Sequence, residues 1–151
     1  MPLTTLLLTL AALAAGALIS LQAPINVSAA VALGHPLAGA TLSFCVGTVA
    51  LLLITGLTVR GSVDVGVLKV LPLTIILGGG LLGALYVTSN TVLTPRLGVA
   101  AVMALGICGQ LLAGLLLDRF GLFGLVEREL TPGRVSGALM VLAGALMVRF
   151  L

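Results

Sequence analysis

Few side chains in this sequence could do chemistry, and most of them are amides and hydroxyls set inside apolar runs. Gln22 and Asn26 stand four residues apart, on one face of a helix, and bracket Pro24. Proline lacks the N–H that would reach a carbonyl one turn back, so two amides and a loose carbonyl converge at one level. They either bind a polar solute or satisfy the freed backbone and a neighbouring helix, and the spacing leaves both readings open. Tyr86 and Asn90 repeat the four-residue step beside Ser89. They read as cavity-lining groups or, for Tyr86, as an interfacial anchor. Gln110 is buried by position and serves either a site or a helix–helix hydrogen bond. Thr41 and Ser43 read as packing residues, with Ser43 also a candidate solute contact. The chemistry these types offer is recognition by amides, hydroxyls and backbone, and not by an embedded charge.

Other chemistries find no support. There is no Ser/His/Asp grouping, no HExxH and no paired carboxylate in an apolar run. Gly78–Gly80 lies inside a helical apolar run and not after a strand, so it is no phosphate loop. No spacing suits a metal, and no cofactor is implied. Cys45 and Cys108 are far apart and read as small packing residues. His35, beside Pro36, reads as a surface turn residue. An enzyme is therefore the weakest functional class.

The elements that hold these groups follow from composition. Of 151 residues, 60% are hydrophobic and 7% are charged, against roughly 25% charged in soluble domains. That excludes a soluble enzyme, a disordered tail and a nucleic-acid-binding domain, and makes lipid the solvent. Charges and prolines divide the chain into five spans of an all-α polytopic membrane bundle, a single transmembrane domain over residues 1–151. They cover residues 3–33, 37–59, 71–93, 97–117 and 135–150. Residues 3–21 are not preceded by Lys or Arg and read as part of span 1, not as a signal peptide. Span 1 would rise about 46 Å, more than the hydrocarbon thickness of roughly 30 Å, so it must tilt, kink or emerge. A kink or break is expected at Pro24. Pro36, Pro72, Pro95 and Pro132 fall near expected helix starts, where the missing donor costs nothing. Thr94-Pro95-Arg96 reads as a tight turn. Span 5 is short for a bilayer. The apolar stretch 120–124, FGLFG, lies between charges and reads as interfacial.

Positions of charge set the orientation. Arg60, Lys69, Arg119, Arg128 and Arg134 fall on the amino-terminal side, and Arg96 and Arg149 on the other. The positive-inside rule then places the amino terminus in the cytoplasm. Small residues mark faces where helices can approach closely: Gly39, Ser43 and Gly47 in span 2; Gly79 and Gly83 in span 3; Gly106 and Gly114 in span 4; Gly137 and Gly144 in span 5. They serve generic packing, or surfaces that slide or dimerise. No Asp, Glu, Lys or Arg lies in mid-span. Asp118, at the end of span 4, reads as an interfacial partner of Arg119.

The runs GALISLQAPIN, GHPLAGATLSFCVGT, GGGLLGALYVTSN, TPRLGVAAVMALGICGQLLAGLLLDRFGLFG and SGALMVLAGALMV occur in order over almost the whole chain. In these the chain resembles the YdcZ-like family of small bacterial membrane proteins of the drug/metabolite transporter superfamily. The resemblance implies a bacterial inner-membrane protein with half of an inverted-repeat transporter fold of about five helices. A single half has half a pathway, so it also implies a dimer: an antiparallel homodimer, a parallel one, or a heterodimer with a paralogue. The substrate site of an inverted repeat lies near the midplane between the halves. Small multidrug exporters of the superfamily use a membrane glutamate in the first helix. This chain has Gln22 and Asn26 there, which argues against proton-coupled export of cations. The implied function is dimeric transport of a small organic solute. The alternative is a non-transporting scaffold that binds another membrane protein through its glycine stripes.

Overall fold

A computed structural model describes residues 3–59 and 64–151. It holds five long helices: α1 (Leu3–Leu33), α2 (Pro36–Thr58), α3 (Leu73–Leu97), α4 (Val99–Phe120) and α5 (Pro132–Phe150). All five are long and apolar enough to cross a membrane, and no strand occurs among the described residues. Large apolar side chains stand open along every helix, as at Leu51, Leu52, Leu53 and Ile54 of α2. Water would not tolerate such continuous apolar surface, but lipid does. Arg60, counted above for orientation, lies outside the described residues.

The chain forms two compact units, residues 1–95 and 96–151. In the first, α1 and α2 run antiparallel and meet through small residues. Ala23, Asn26 and Ala30 form the buried face of α1, and Gly39 and Ala40 that of α2. Their corner is built from three residues in sequence. Gly34 takes a φ of +78°, His35 caps α2 by accepting the Leu37 N–H at Nδ1 (3.1 Å), and Pro36 fills the first turn. α3 belongs to the same unit and buries Val87, Thr91 and Thr94. In the second unit α4 and α5 pair, joined by a 3₁₀ turn at Leu122–Gly124 and an extended segment. Thr131 caps α5 by accepting the Arg134 N–H at 3.3 Å.

α1 continues through Pro24 without a break. Proline behaves differently from expectation at one place. α3 continues through Pro95 to Leu97, so residues 94–96 are helical and not a turn. Pro95 sits in the last turn, where its ring costs one carbonyl partner, that of Thr91. The chain instead leaves helical geometry at Gly98, with φ +83° and ψ 154°, a region essentially reserved for glycine. α5 begins at Pro132, three residues before the expected start, which brings it to 19 residues and about 28 Å.

Five hydroxyls in the apolar helices are satisfied at home. Thr9, Ser20, Ser28, Thr58 and Thr91 each donate to the carbonyl four residues back, at 2.7–3.1 Å. A hydroxyl bonded in this way can face lipid without an unmet donor.

Candidate functional site

The register of α1 on α2 is fixed by one close contact and one hydrogen bond, a turn apart. Gly39 lies on the backbone of α1: a Cβ there would sit 2.6 Å from the Asn26 carbonyl oxygen and 2.8 Å from the Ala30 nitrogen. One turn further along each helix, Gln22 Nε2 donates to Ser43 Oγ at 3.1 Å. The Gly39, Ser43 and Gly47 stripe of α2 thus faces α1. Gln22, Ser43 and Gly47 line a recess of about 190 Å³ together with Phe44, Thr48 and Leu51. The Gln22 amide spends one N–H on Ser43 and keeps its carbonyl and second N–H. Asn26 is only 4% exposed, and its amide has no hydrogen-bond partner among the described residues.

On its other side α2 forms a second, larger cavity with α3, of about 570 Å³. Leu37, Ala40, Phe44 and Val49 supply its apolar wall, and Ala84 stands opposite on α3. Thr41, Cys45, Thr48 and Thr88 also line it. Phe44 and Thr48 belong to both cavities. The Phe44 ring reaches across to α3 at Gly83, where an added Cβ would be 3.4 Å from Cζ. Among the described residues, no charged side chain lines either cavity.

The six residues singled out for solute contact are therefore unequally placed. Gln22 and Ser43 meet, and Asn26 is buried one turn away. Tyr86 and Asn90 are half-buried on α3, line neither cavity and make no side-chain hydrogen bond among the described residues. Gln110 is exposed on α4, not buried, because the packed face of that helix carries Ala101, Val102, Met103 and Cys108. Thr48, Phe44 and Thr88 are lining residues that the reading of polar pairs passes over. Their only trace is periodic: Thr41, Phe44, Cys45 and Thr48 follow helical spacing beside the glycine stripe.

Glycine stripes divide in the same way. Gly39 makes backbone contact and Gly83 meets Phe44. A Cβ built on Gly47, Gly79, Gly114, Gly137 or Gly144 would meet nothing within 4 Å. On α5 the buried face is one residue round from the stripe, at Ala138 and Ala145.

At the other end of the chain, Asp118 pairs with Arg134 and not with its neighbour Arg119. The same arginine donates to the Glu129 carbonyl at 3.2 Å, and the Arg128 N–H donates to the Asp118 carbonyl at 2.8 Å. These bonds tie the segment between α4 and α5 to both helix ends. No group of three or more metal-ligating side chains occurs among the described residues.

Compared with known proteins, residues 7–147 match the family model described as "Putative inner membrane exporter, YdcZ". No curated protein and no solved structure matches.

Proposed function

Since the chain belongs to the YdcZ family of inner membrane exporters, we propose that it exports a small organic solute as a dimer. The solute is recognised at the recess between α1 and α2. One observation carries this reading: in a chain without mid-span charge, the Gln22–Ser43 pair presents spare hydrogen-bonding capacity to a cavity at the close α1–α2 contact. Polar groups at membrane depth are retained where they bond one another or line a path. Asn26 supports the site from one turn away. Tyr86, Asn90 and Gln110 are assigned as contacts made with the second copy or during the transport cycle.

A dimer is supported by the stripes that this chain does not use. Gly79, Gly114, Gly137 and Gly144 keep their faces open, and close approach of small residues is how membrane helices associate. We assign an antiparallel homodimer, with the amino terminus cytoplasmic in the orientation favoured by the Lys and Arg count. Replacing Gln22 or Asn26 by Leu should abolish solute flux in proteoliposomes while folding and dimerisation persist. Normal flux in both variants would remove the site from this recess.

A further inference from the structure

We infer that the solute is an uncharged molecule of drug-like size, with several hydrogen-bonding groups along an otherwise apolar body. Its polar end lies at Gln22–Ser43 and its body in the α2–α3 groove. This rests on the reading of the recess as the solute site and adds the class of compound it takes.

Four observations converge. The first is adjacency: Phe44 and Thr48 line both cavities, so the amide recess and the groove share one wall. The second is charge, since no charged side chain among the described residues lines either cavity and an ion there would lack a counter-charge in a low-dielectric site. Third comes size: the groove alone, at about 570 Å³, falls within the range of about 300–1,000 Å³ usual for ligand pockets.

The fourth concerns hydroxyls. Thr9, Ser20, Ser28, Thr58 and Thr91 give their protons to their own helices. Thr41, Thr48 and Thr88 line the groove and make no such bond among the described residues, a state they share with Thr55, Thr74, Ser89 and Thr94 outside it. Three uncommitted hydroxyls facing an apolar cavity are poorly served by a lipid tail, which offers no acceptor. A solute carrying hydroxyl or amide groups matches them, and an apolar frame matches Leu37, Phe44, Val49 and Ala84.

Cys45 stands in the groove wall and is exposed, whereas Cys108 is buried in the other unit. Its alkylation by N-ethylmaleimide in proteoliposomes therefore reports occupancy, with Cys108 as the internal reference. Chloramphenicol and paracetamol serve as neutral probes, tetraphenylphosphonium as a cation of similar apolarity and decane as a lipid-like hydrocarbon. At least one neutral probe should slow Cys45 alkylation saturably, while the cation and the hydrocarbon leave it unchanged. Thr48→Val and Thr88→Val should each raise the half-protecting concentration about fivefold, the worth of one ordinary hydrogen bond. No protection by any neutral probe, or equal protection by tetraphenylphosphonium or decane, overturns the assignment. Its failure is distinguishable from failure of the site. Flux that depends on Gln22 without neutral protection keeps the recess and refutes the class. Protection without dependence of flux on Gln22 keeps a binding site and refutes its role in export.

Discussion

Gly39→Ala is the sharpest probe of how the site is held. The added methyl would lie 2.6 Å from the Asn26 carbonyl oxygen, 2.8 Å from the Ala30 nitrogen and 3.0 Å from the Ala30 Cα. All three are backbone atoms, so no side chain can rotate aside. Ordinary contact begins at 3.4 Å, so the helices must part by about 0.8 Å at this point. Overpacking of this kind costs about 1–3 kcal/mol, while alanine recovers up to about 1 kcal/mol of helix propensity over glycine. The net expectation is a loss of about 1–2 kcal/mol, or roughly a five- to thirty-fold fall in the folded-to-unfolded ratio. Gly47→Ala on the same stripe supplies the control. Its Cβ meets nothing within 4 Å, so only the propensity gain remains and the variant should be neutral or slightly stabilised. The assay is unfolding in mixed dodecylmaltoside and SDS micelles followed by far-ultraviolet circular dichroism, since the chain has no Trp and one Tyr. Because the Gln22–Ser43 bond lies one turn away, Gly39→Ala should also lower solute flux. Equal stability of the two variants, or a larger loss at Gly47, would refute the argument.

Three further outcomes can be measured by the same unfolding assay. Thr94 is buried with an unpartnered hydroxyl, so Thr94→Val should stabilise by about 1 kcal/mol; a loss would mean that the hydroxyl has a partner. Asp118→Asn and Arg134→Gln each break a pair whose side chains are 31% exposed. Each should cost less than about 1 kcal/mol, with the deficit shrinking in high salt, and Arg119→Gln should cost nothing comparable. Gly98→Ala must adopt φ +83° and ψ 154° and should lose about 1–3 kcal/mol, although no neighbour blocks its side chain.

What the residues disclose on their own is uneven, for physical reasons. Five helices are legible because runs of about 20 apolar residues have one common fate in lipid. The corner after α1 is legible because Gly34 and Pro36 each have one strong positional preference, at a helix end and a helix start. Pro95 misleads: a proline in the last turn and one in the first have the same neighbours in sequence, and Gly98, three residues on, decides between them. Gln110 misleads because apolar flanks put a residue at membrane depth without saying which face it takes. The α1–α2 pairing is half legible. Small residues advertise close approach, but only coordinates show that Gly39 makes backbone contact while Gly47 stands clear. Asp118 shows the limit of local reading, because its partner lies sixteen residues away across a folded connection. The groove is the least legible, since its threonines differ from the self-satisfied ones only in which bonds they leave unmade.

The inequality of the helices has a consequence for the host membrane. α1 has 31 residues and α5 has 19, rises of about 46 Å and 28 Å. One bilayer cannot match both, and each ångström of mismatch costs a fraction of a kcal/mol. Short-chain lipids suit α5 and force α1 to lean or protrude; long-chain lipids do the reverse. Lipid composition thereby becomes a variable of the protein's own energetics. Reconstitution in lipids of graded acyl length would move the tilt of α1, and with it the Gln22–Ser43 recess that α1 shares with α2.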